Sequence, residues 1–325
     1  MNIGVIGESD DKKGMFDTIP QLDLNDFRSN DPLEREEFIQ ALGEAYENIG
    51  FIAIKNHKLD ENLQEKLYSA SKKFFYSPDS LKQNYEKEEL NGQRGYIGKG
   101  KETAKGMDKP DLKEFFQLGN PTYGENIFPT EQPDFEEATT EAFEILKTTG
   151  MQILQAIALH LGLSQDHFVP LCDDGNSIMR LLHYFPIDDV SKVEDGAVRA
   201  GAHGDINFIT LLMGASADGL EVQRKDGEWI PVTKVEDCII VNIGDMMQHY
   251  TNGKLKSTIH RVVNPTDKEK LKESRFSIPF FLHAKPEISL DCLDICVNAE
   301  NPKMYQDKTV GDFLNERLTD LGLKK

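Results

Sequence analysis

The segment Gly201-Ala202-His203-Gly204-Asp205 sets an imidazole and a carboxylate two residues apart. At strand spacing both side chains leave the same side of the chain, which suits two ligands on one face of a metal. Alone the pair is a weak signal, because eight histidines and 56 acidic residues in a chain of 325 give about 1.4 His-x-acid pairs by chance. Ser257-Thr258-Ile259-His260-Arg261 offers a third ligand, His260, in another β-type run 55 residues beyond Asp205. Two imidazoles and one carboxylate form a facial triad that leaves three octahedral positions open. That arrangement suits Fe(II) when it must bind both a chelating cosubstrate and O2. Catalytic zinc more often takes three histidines, or two with a glutamate, at other local spacings. Arg275-Phe276-Ser277 again has period two, so a guanidinium fork and a hydroxyl point the same way, a combination matched to a carboxylate.

These residues need a scaffold, and the chain shows two textures. From about 31 to 165 the periodicity is mostly helical. Asp31-Pro32 supplies an N-cap and an N1 proline, and Phe38, Leu42, Ala45 and Ile49 follow at helical spacing. Leu63, Leu67, Ala70 and Phe74 repeat the pattern before Pro78, and a longer run spans Phe143 to Leu161. A short strand, Phe51–Lys55, and a Gly/Lys-rich loop, Gly92–Lys109, lie between. From about 177 to 284 short β-type runs alternate with turn signals: Ile178–Phe185, Phe208–Met213, Leu220–Arg224, Cys238–Val241, Ile259–Val263 and Phe276–His283. Such a block predicts a sandwich or barrel with Greek-key wiring. Thr309 to Asp312 reads as the capped start of a C-terminal helix.

Composition narrows the partners. The chain has 56 Asp and Glu against 37 Lys and Arg, a net charge of −19, with a mean hydropathy of −0.49. A surface this acidic disfavours nucleic acid and anionic membranes, and the lysine clusters are short and mixed with glutamate. No apolar run approaches the roughly 18 residues of a membrane span. The first fifteen residues lack the pattern of a secretory signal. Four cysteines without CxxC spacing fit a reduced, cytoplasmic protein.

Taken in order, several motifs resemble one family. His203-Gly204-Asp205-Ile206-Asn207, Asn242-Ile243-Gly244-Asp245, Thr251-Asn252-Gly253, His260-Arg261-Val262 and Arg275-x-Ser277 are similar to the isopenicillin N synthase-like branch of the non-haem iron oxygenases, most of which depend on 2-oxoglutarate. Ile19-Pro20-Gln21-Leu22-Asp23-Leu24, Gly50-Phe51 through Asn56-His57, Phe74-Phe75 with Pro78, and Gly95-Tyr96 extend the likeness over roughly residues 17 to 285. The resemblance implies a mainly β fold with flanking α-helices, a double-stranded β-helix or jelly-roll barrel behind an N-terminal helical region. It divides the chain into a flexible terminus (1–16), the N-terminal helical region (17–165), the jelly-roll core (166–290) and a C-terminal helical extension (291–325), all one compact unit.

By the same resemblance His203, Asp205 and His260 bind iron, and Arg275 and Ser277 hold the distal carboxylate of 2-oxoglutarate. Tyr184, on the strand Met179–Tyr184, approaches the cosubstrate, although Phe185 stands where the family has proline. Arg180 and Tyr96 are candidate substrate contacts; a surface salt bridge is the competing role for Arg180. The implied reaction oxidises a small-molecule C–H bond with O2, releasing succinate and CO2. A same-fold oxidase that needs no 2-oxoglutarate, with Arg275 and Ser277 on the substrate's own carboxylate, is the alternative. A catalytically silent binding barrel is a third reading, and the complete triad argues against it. The remaining histidines, His57, His160, His167, His249 and His283, have no partner spacing and read as packed or solvated. His183 is intermediate, because it shares the active-site strand. Trp229 reads as a hairpin cap. The opening Gly4-Val5-Ile6-Gly7 lacks the other marks of a nucleotide loop.

Overall fold

Period-two alternation separates two environments on every long strand of the computed structural model, which describes residues 18–90, 92–101, 111–187, 198–213, 219–232, 237–265 and 267–320. Among these lie twelve strands: β1 (Gln21–Asp23), β2 (Phe51–Lys55), β3 (Gly95–Ile97), β4 (Glu114–Gly119), β5 (Ile178–Tyr184), β6 (Ala200–His203), β7 (Ile209–Met213), β8 (Leu220–Gln223), β9 (Trp229–Pro231), β10 (Ile239–Ile243), β11 (His260–Val262) and β12 (Arg275–Leu282). Eight form a major sheet in the order β1-β2-β10-β7-β12-β5-β4-β3, and four form a minor sheet, β6-β11-β8-β9. Among the described strands only the β1–β2 pair is parallel. The two sheets make the jelly roll expected of the β-rich half. The terminal 1–16 segment, including Gly4–Gly7, lies outside the described residues, as do 102–110 of the Gly/Lys-rich segment.

Four helices longer than ten residues are described: α1 (Pro32–Asn48), α2 (Glu61–Phe75), α3 (Pro133–His160) and α4 (Val310–Asp320). Asp31 caps α1 by accepting from the Leu33 amide at 2.9 Å, and Asp60 caps α2 from the Leu63 amide at 2.8 Å. Thr309 accepts from the Asp312 amide and donates to the Asp312 carboxylate, a reciprocal cap for α4. The apolar stripes of α1, α2 and α3 meet the outer face of the major sheet. Leu42, Leu67, Phe74, Phe135 and Leu154 share one buried cluster with Met179, Leu181, Leu211, Ile278 and Phe280. Each such side chain contributes about 1.5–3 kcal/mol by leaving water.

The N-terminal region adds more strand than its helical periodicity foretells. Besides the expected β2 it supplies β1, β3 and β4, four of the eight strands of the major sheet. β4 reads poorly because Glu114 and Gln117 interrupt its aromatics, yet all six of its residues are buried. Trp229 opens β9 just after the Asp226-Gly227 turn, and Arg261 lies over its ring at 4.0 Å. No described helix is long and apolar enough to cross a membrane.

Candidate metal centre and cosubstrate pocket

Between the two sheets lies a cavity of about 400 Å³, within the range of small-molecule sites. Alternation assigns its walls. On β12, Arg275, Ser277, Pro279 and Phe281 line it, while Phe276, Ile278, Phe280 and Leu282 face the helices. On β5, Ile178, Arg180, Leu182 and Tyr184 line it, while Met179 and Leu181 turn away.

His203, Asp205 and His260 come together at this cavity, with one ligand atom from each lying within 4.8 Å of the others. His203 and His260 are direct cross-strand partners on β6 and β11, and their rings stand 4.5 Å apart. Asp205 arrives differently from the strand alternation expected of a His-x-Asp pair. β6 ends at His203, and the following turn carries the carboxylate back to 4.0 Å from His203 Nε2 and 3.8 Å from His260 Nε2. Gly204 permits that turn, since a Cβ there would stand 3.0 Å from Asp245 Oδ1.

Each candidate ligand is oriented by its neighbours. His203 Nδ1 donates to the Gly201 carbonyl at 2.7 Å, and His260 Nδ1 to the Thr258 carbonyl at 3.1 Å. These bonds place the proton on Nδ1 and leave the Nε2 lone pairs for a metal. Asp205 Oδ2 accepts from Thr210 Oγ1 at 2.6 Å and Asn242 Nδ2 at 2.8 Å, so Oδ1 faces the imidazoles. Burial and the neighbouring His260 push His203 down to about 4, although 38% of its side chain opens on the cavity. Burial alone would raise Asp205. The facing His260 and His203, with the bonds from Asn242 and Thr210, hold it below the usual carboxylate value instead. Two neutral imidazoles and one carboxylate, pre-aimed and open on one side, fit an octahedral Fe(II) with free positions.

The expected carboxylate anchor lies along the same wall. Arg275 and Ser277 are 1% and 2% exposed, and Arg275 Nη1 stands 3.4 Å from Ser277 Oγ. Arg275 pairs across the sheet with Tyr184, and its guanidinium lies 4.9 Å from the Tyr184 ring centre. The Phe185 that precedes Pro186 leaves this register intact. A buried guanidinium and hydroxyl opening on a cavity beside a metal triad fit the distal end of 2-oxoglutarate.

Arg180 also lines the cavity; its Nε donates to Gln117 Oε1 at 2.7 Å and its guanidinium lies 4.1 Å from the Phe115 ring centre. Tyr96 does not reach the cavity. It is packed among the helical-side core residues, and its hydroxyl donates to Glu114 Oε2. Glu114 also accepts from Lys82 at 2.8 Å and bonds His183 Nδ1 at 2.7 Å. Burial opposes the Glu114 charge, but the bonds from His183, Lys82 and Tyr96 bring its carboxyl down to about 2. His183 therefore serves this network behind the sheet, although Tyr184 beside it faces the cavity. His57, His160 and His249 have partners away from the site.

Thr210 and Asn242 carried no assigned role in the sequence. The position of Thr210 on the β7 run and the Asn242-Ile243-Gly244-Asp245 motif were the available signals. Leu314, Arg317 and Leu318 of α4 also line the cavity, with Arg317 Nη2 on Asp245 Oδ2 at 2.9 Å. Nothing in their spacing announced it, since docking of a terminal helix is a tertiary event. His283, read as a packed histidine, lines the cavity too.

Comparison with known proteins agrees with this geometry. Residues 19–135 match the family model for the N-terminal region of the non-haem dioxygenase in morphine synthesis, and residues 175–284 match the 2OG-Fe(II) oxygenase superfamily. The 2-oxoglutarate-Fe(II) type oxidoreductase hxnY of Emericella nidulans is 32% identical over 91% of this chain and 88% of its own. A crystal structure assigned to the 2OG-Fe(II) oxygenase family, from Caulobacter crescentus, is 40% identical, covers 93% of this chain and 98% of its own, and superimposes with a TM-score of 0.82. A full-length Neurospora crassa protein, solved in complex with alpha-KG and thymine, is 29% identical over 97% and 98% of the two chains, with a TM-score of 0.84. The chain belongs to the 2-oxoglutarate–Fe(II) oxygenases, in the isopenicillin N synthase-like family. It is a dioxygenase that uses Fe(II), 2-oxoglutarate and O2.

Proposed function

We propose that His203, Asp205 and His260 hold the iron, that Arg275 and Ser277 bind the far carboxylate of 2-oxoglutarate beside Tyr184, and that Arg180 faces a small-molecule substrate. The observation that carries this reading is the triad itself: two Nε2 atoms and Asp205 Oδ1 are left uncommitted while every other polar atom of the three side chains is hydrogen-bonded. When bound, Fe(II) with 2-oxoglutarate and O2 supplies a two-electron oxidation of a substrate C–H bond, hydroxylation being the simplest outcome, with succinate and CO2 released.

The chain's own residues select and aim. The Arg275 fork, desolvated on β12, gains more from a carboxylate than it would in water, because buried charge-assisted hydrogen bonds are the strong ones. The face of Tyr184 restricts the guanidinium to that direction. Thr210 and Asn242 immobilise Asp205, and the two backbone carbonyls fix the imidazole planes. The sheet walls and α4 keep water from the reacting centre, so oxidation is spent on substrate. Tyr96, behind the sheet, has no part in this scheme.

An acidic exterior and a 400 Å³ cavity favour a small metabolite over a macromolecule, and the four buried free cysteines favour a cytoplasmic setting. Strands from both halves in one sheet, and α4 at the cavity wall, support reading regions 17–165, 166–290 and 291–325 as one compact unit. The test is spectroscopic. Anaerobic Fe(II) with 2-oxoglutarate gives a weak visible charge-transfer band in the wild type, which His203→Ala abolishes together with turnover. Arg275→Ala raises the 2-oxoglutarate requirement; an unchanged requirement would show that the anchor is assigned wrongly.

A further inference from the structure

Buried polar side-chain atoms without a partner are few among the described residues, and His283 Nδ1 is the one whose residue lines the cavity. His283 follows directly on β12 and continues its cavity-facing series, Arg275, Ser277, Pro279 and Phe281. Its backbone is fixed, the amide donating to Ser177 Oγ at 3.2 Å, and the residue is 6% exposed. The imidazole has no comparable hold. Among the described residues, His183 bonds Glu114 and Ser274 and His249 bonds the Gln306 carbonyl, whereas His167, whose Nε2 is also unpartnered, does not line the cavity. An orphan buried nitrogen is unfavourable until something supplies the missing hydrogen bond.

From this we infer that His283 is a substrate-binding residue, its imidazole sharing a hydrogen bond with a neutral N–H, O–H or carbonyl group of the small molecule to be oxidised. The inference rests on the proposed assignment of the cavity and adds the chemistry at its far end. Arg275 and His283 sit at opposite ends of the strand, eight residues apart, or about 27 Å of extended chain, so the cosubstrate anchor and His283 do not compete for one ligand. The cavity also carries apolar residues, among them Phe281, Ile206, Leu314 and Leu318. Burial keeps the ring uncharged, with its pKa lowered to about 4. In the loaded protein the Asp205 carboxylate that the ring senses is engaged by the iron, so the preference for a neutral partner rests on the buried, uncharged ring itself. The substrate therefore presents a compact apolar or ring body and a neutral hydrogen-bonding heteroatom at this end. A free carboxylate, if it has one, goes towards Arg180.

Two arms test this on the iron- and 2-oxoglutarate-loaded protein under anaerobic conditions and then in air. His283→Phe keeps an aromatic ring, slightly larger, but removes both nitrogens, and His283→Gln restores a hydrogen-bonding group. Without substrate, His283→Phe melts at or above the wild-type temperature, because an unsatisfied group is lost. Lower melting temperatures for both variants would make His283 a packing residue and overturn the inference. In the second arm a pool of small cyclic amides, amino acids and hydroxy acids is screened by succinate release. For any compound that stimulates the wild type, His283→Phe raises KM roughly ten-fold with a smaller change in kcat, and His283→Gln recovers part of it. An unchanged KM would also overturn the inference. The thermal arm needs no substrate and decides the question if the pool contains none. Absence of the charge-transfer band in the wild type would instead strike at the underlying site assignment.

Discussion

Thr210 and Asn242 each give one hydrogen bond to the same oxygen of Asp205, and that division of labour makes them separable from the ligands themselves. Thr210→Val or Asn242→Leu leaves the three ligand types in place but frees the carboxylate to rotate. Iron affinity is expected to fall roughly 10- to 100-fold, read by competition with a chelator, as for other outer partners of metal ligands. A second consequence concerns acid. His283 is held at about 4 in the folded protein by burial, against about 6.5 when unfolded. Between those values the unfolded chain takes up a proton that the folded chain refuses, so folding stability declines as pH falls from about 6.5 towards 4. Urea melts of the metal-free protein should show the decline, and His283→Phe should lessen its slope while the share of His203, also held near 4, remains. At this scale the candidate triad could be proposed from sequence, and the fold brings its three residues together, because their types and order are chemically demanding. Thr210, Asn242 and His283 could not be, because a threonine on a strand or a lone histidine has the same spacing whether it packs or serves a site.

Strand β12 shows what alternation contributes at the scale of an element. Phe280 is fully buried against Phe143 of α3, ring centres 5.0 Å apart, whereas the adjacent Phe281 is half-buried in the cavity wall. Phe280→Ala is expected to cost about 3–5 kcal/mol in urea denaturation. Phe281→Ala should cost much less, with its effect on substrate turnover instead. Equal losses would mean that the two faces are not distinct. The runs Ile178–Phe185 and Phe276–His283 were readable from sequence to within a residue because both faces are rich in β-formers. β1, β3 and β4 were not, since three-residue strands carry too few periods, and the polar residues of β4 belong to a buried network and a cavity edge. Tyr96 illustrates the same limit. Its position on β3 is set by pairing with Phe116 on β4, and that register turns the ring away from the cavity.

For the molecule as a whole, the order β2-β10-β7-β12-β5-β4 places N-terminal strands on both flanks of the C-terminal ones. A fragment beginning at residue 166 would expose the edges of β10 and β5 that β2 and β4 cover. Such a fragment should aggregate or unfold without a cooperative transition, and adding residues 17–165 as a separate chain should improve its solubility. The overall −19 charge describes the exterior; on the cavity wall Lys113 pairs with Asp111 and Arg317 with Asp245, which leaves Arg275 and Arg180 as the cations facing a ligand beside the metal triad. A dianionic cosubstrate thus meets a field opposite to that of the surface. Composition alone disfavours some partners but does not reveal this placement, which arises only when residues far apart in sequence share one wall.

The carbonyls of Gly201 and Thr258 belong to the same chain segments as the imidazoles they hold. Orientation of the nitrogen ligands is therefore a local property of the backbone, complete before any ion arrives. A site so rigidly prepared for a small divalent cation has little means of refusing a rival of similar size. The intrinsic order of divalent affinities then favours cobalt and nickel over ferrous iron. Excess Co(II) or Ni(II) is therefore expected to displace iron and silence turnover while leaving the fold intact, as read by metal analysis, succinate release and thermal melting.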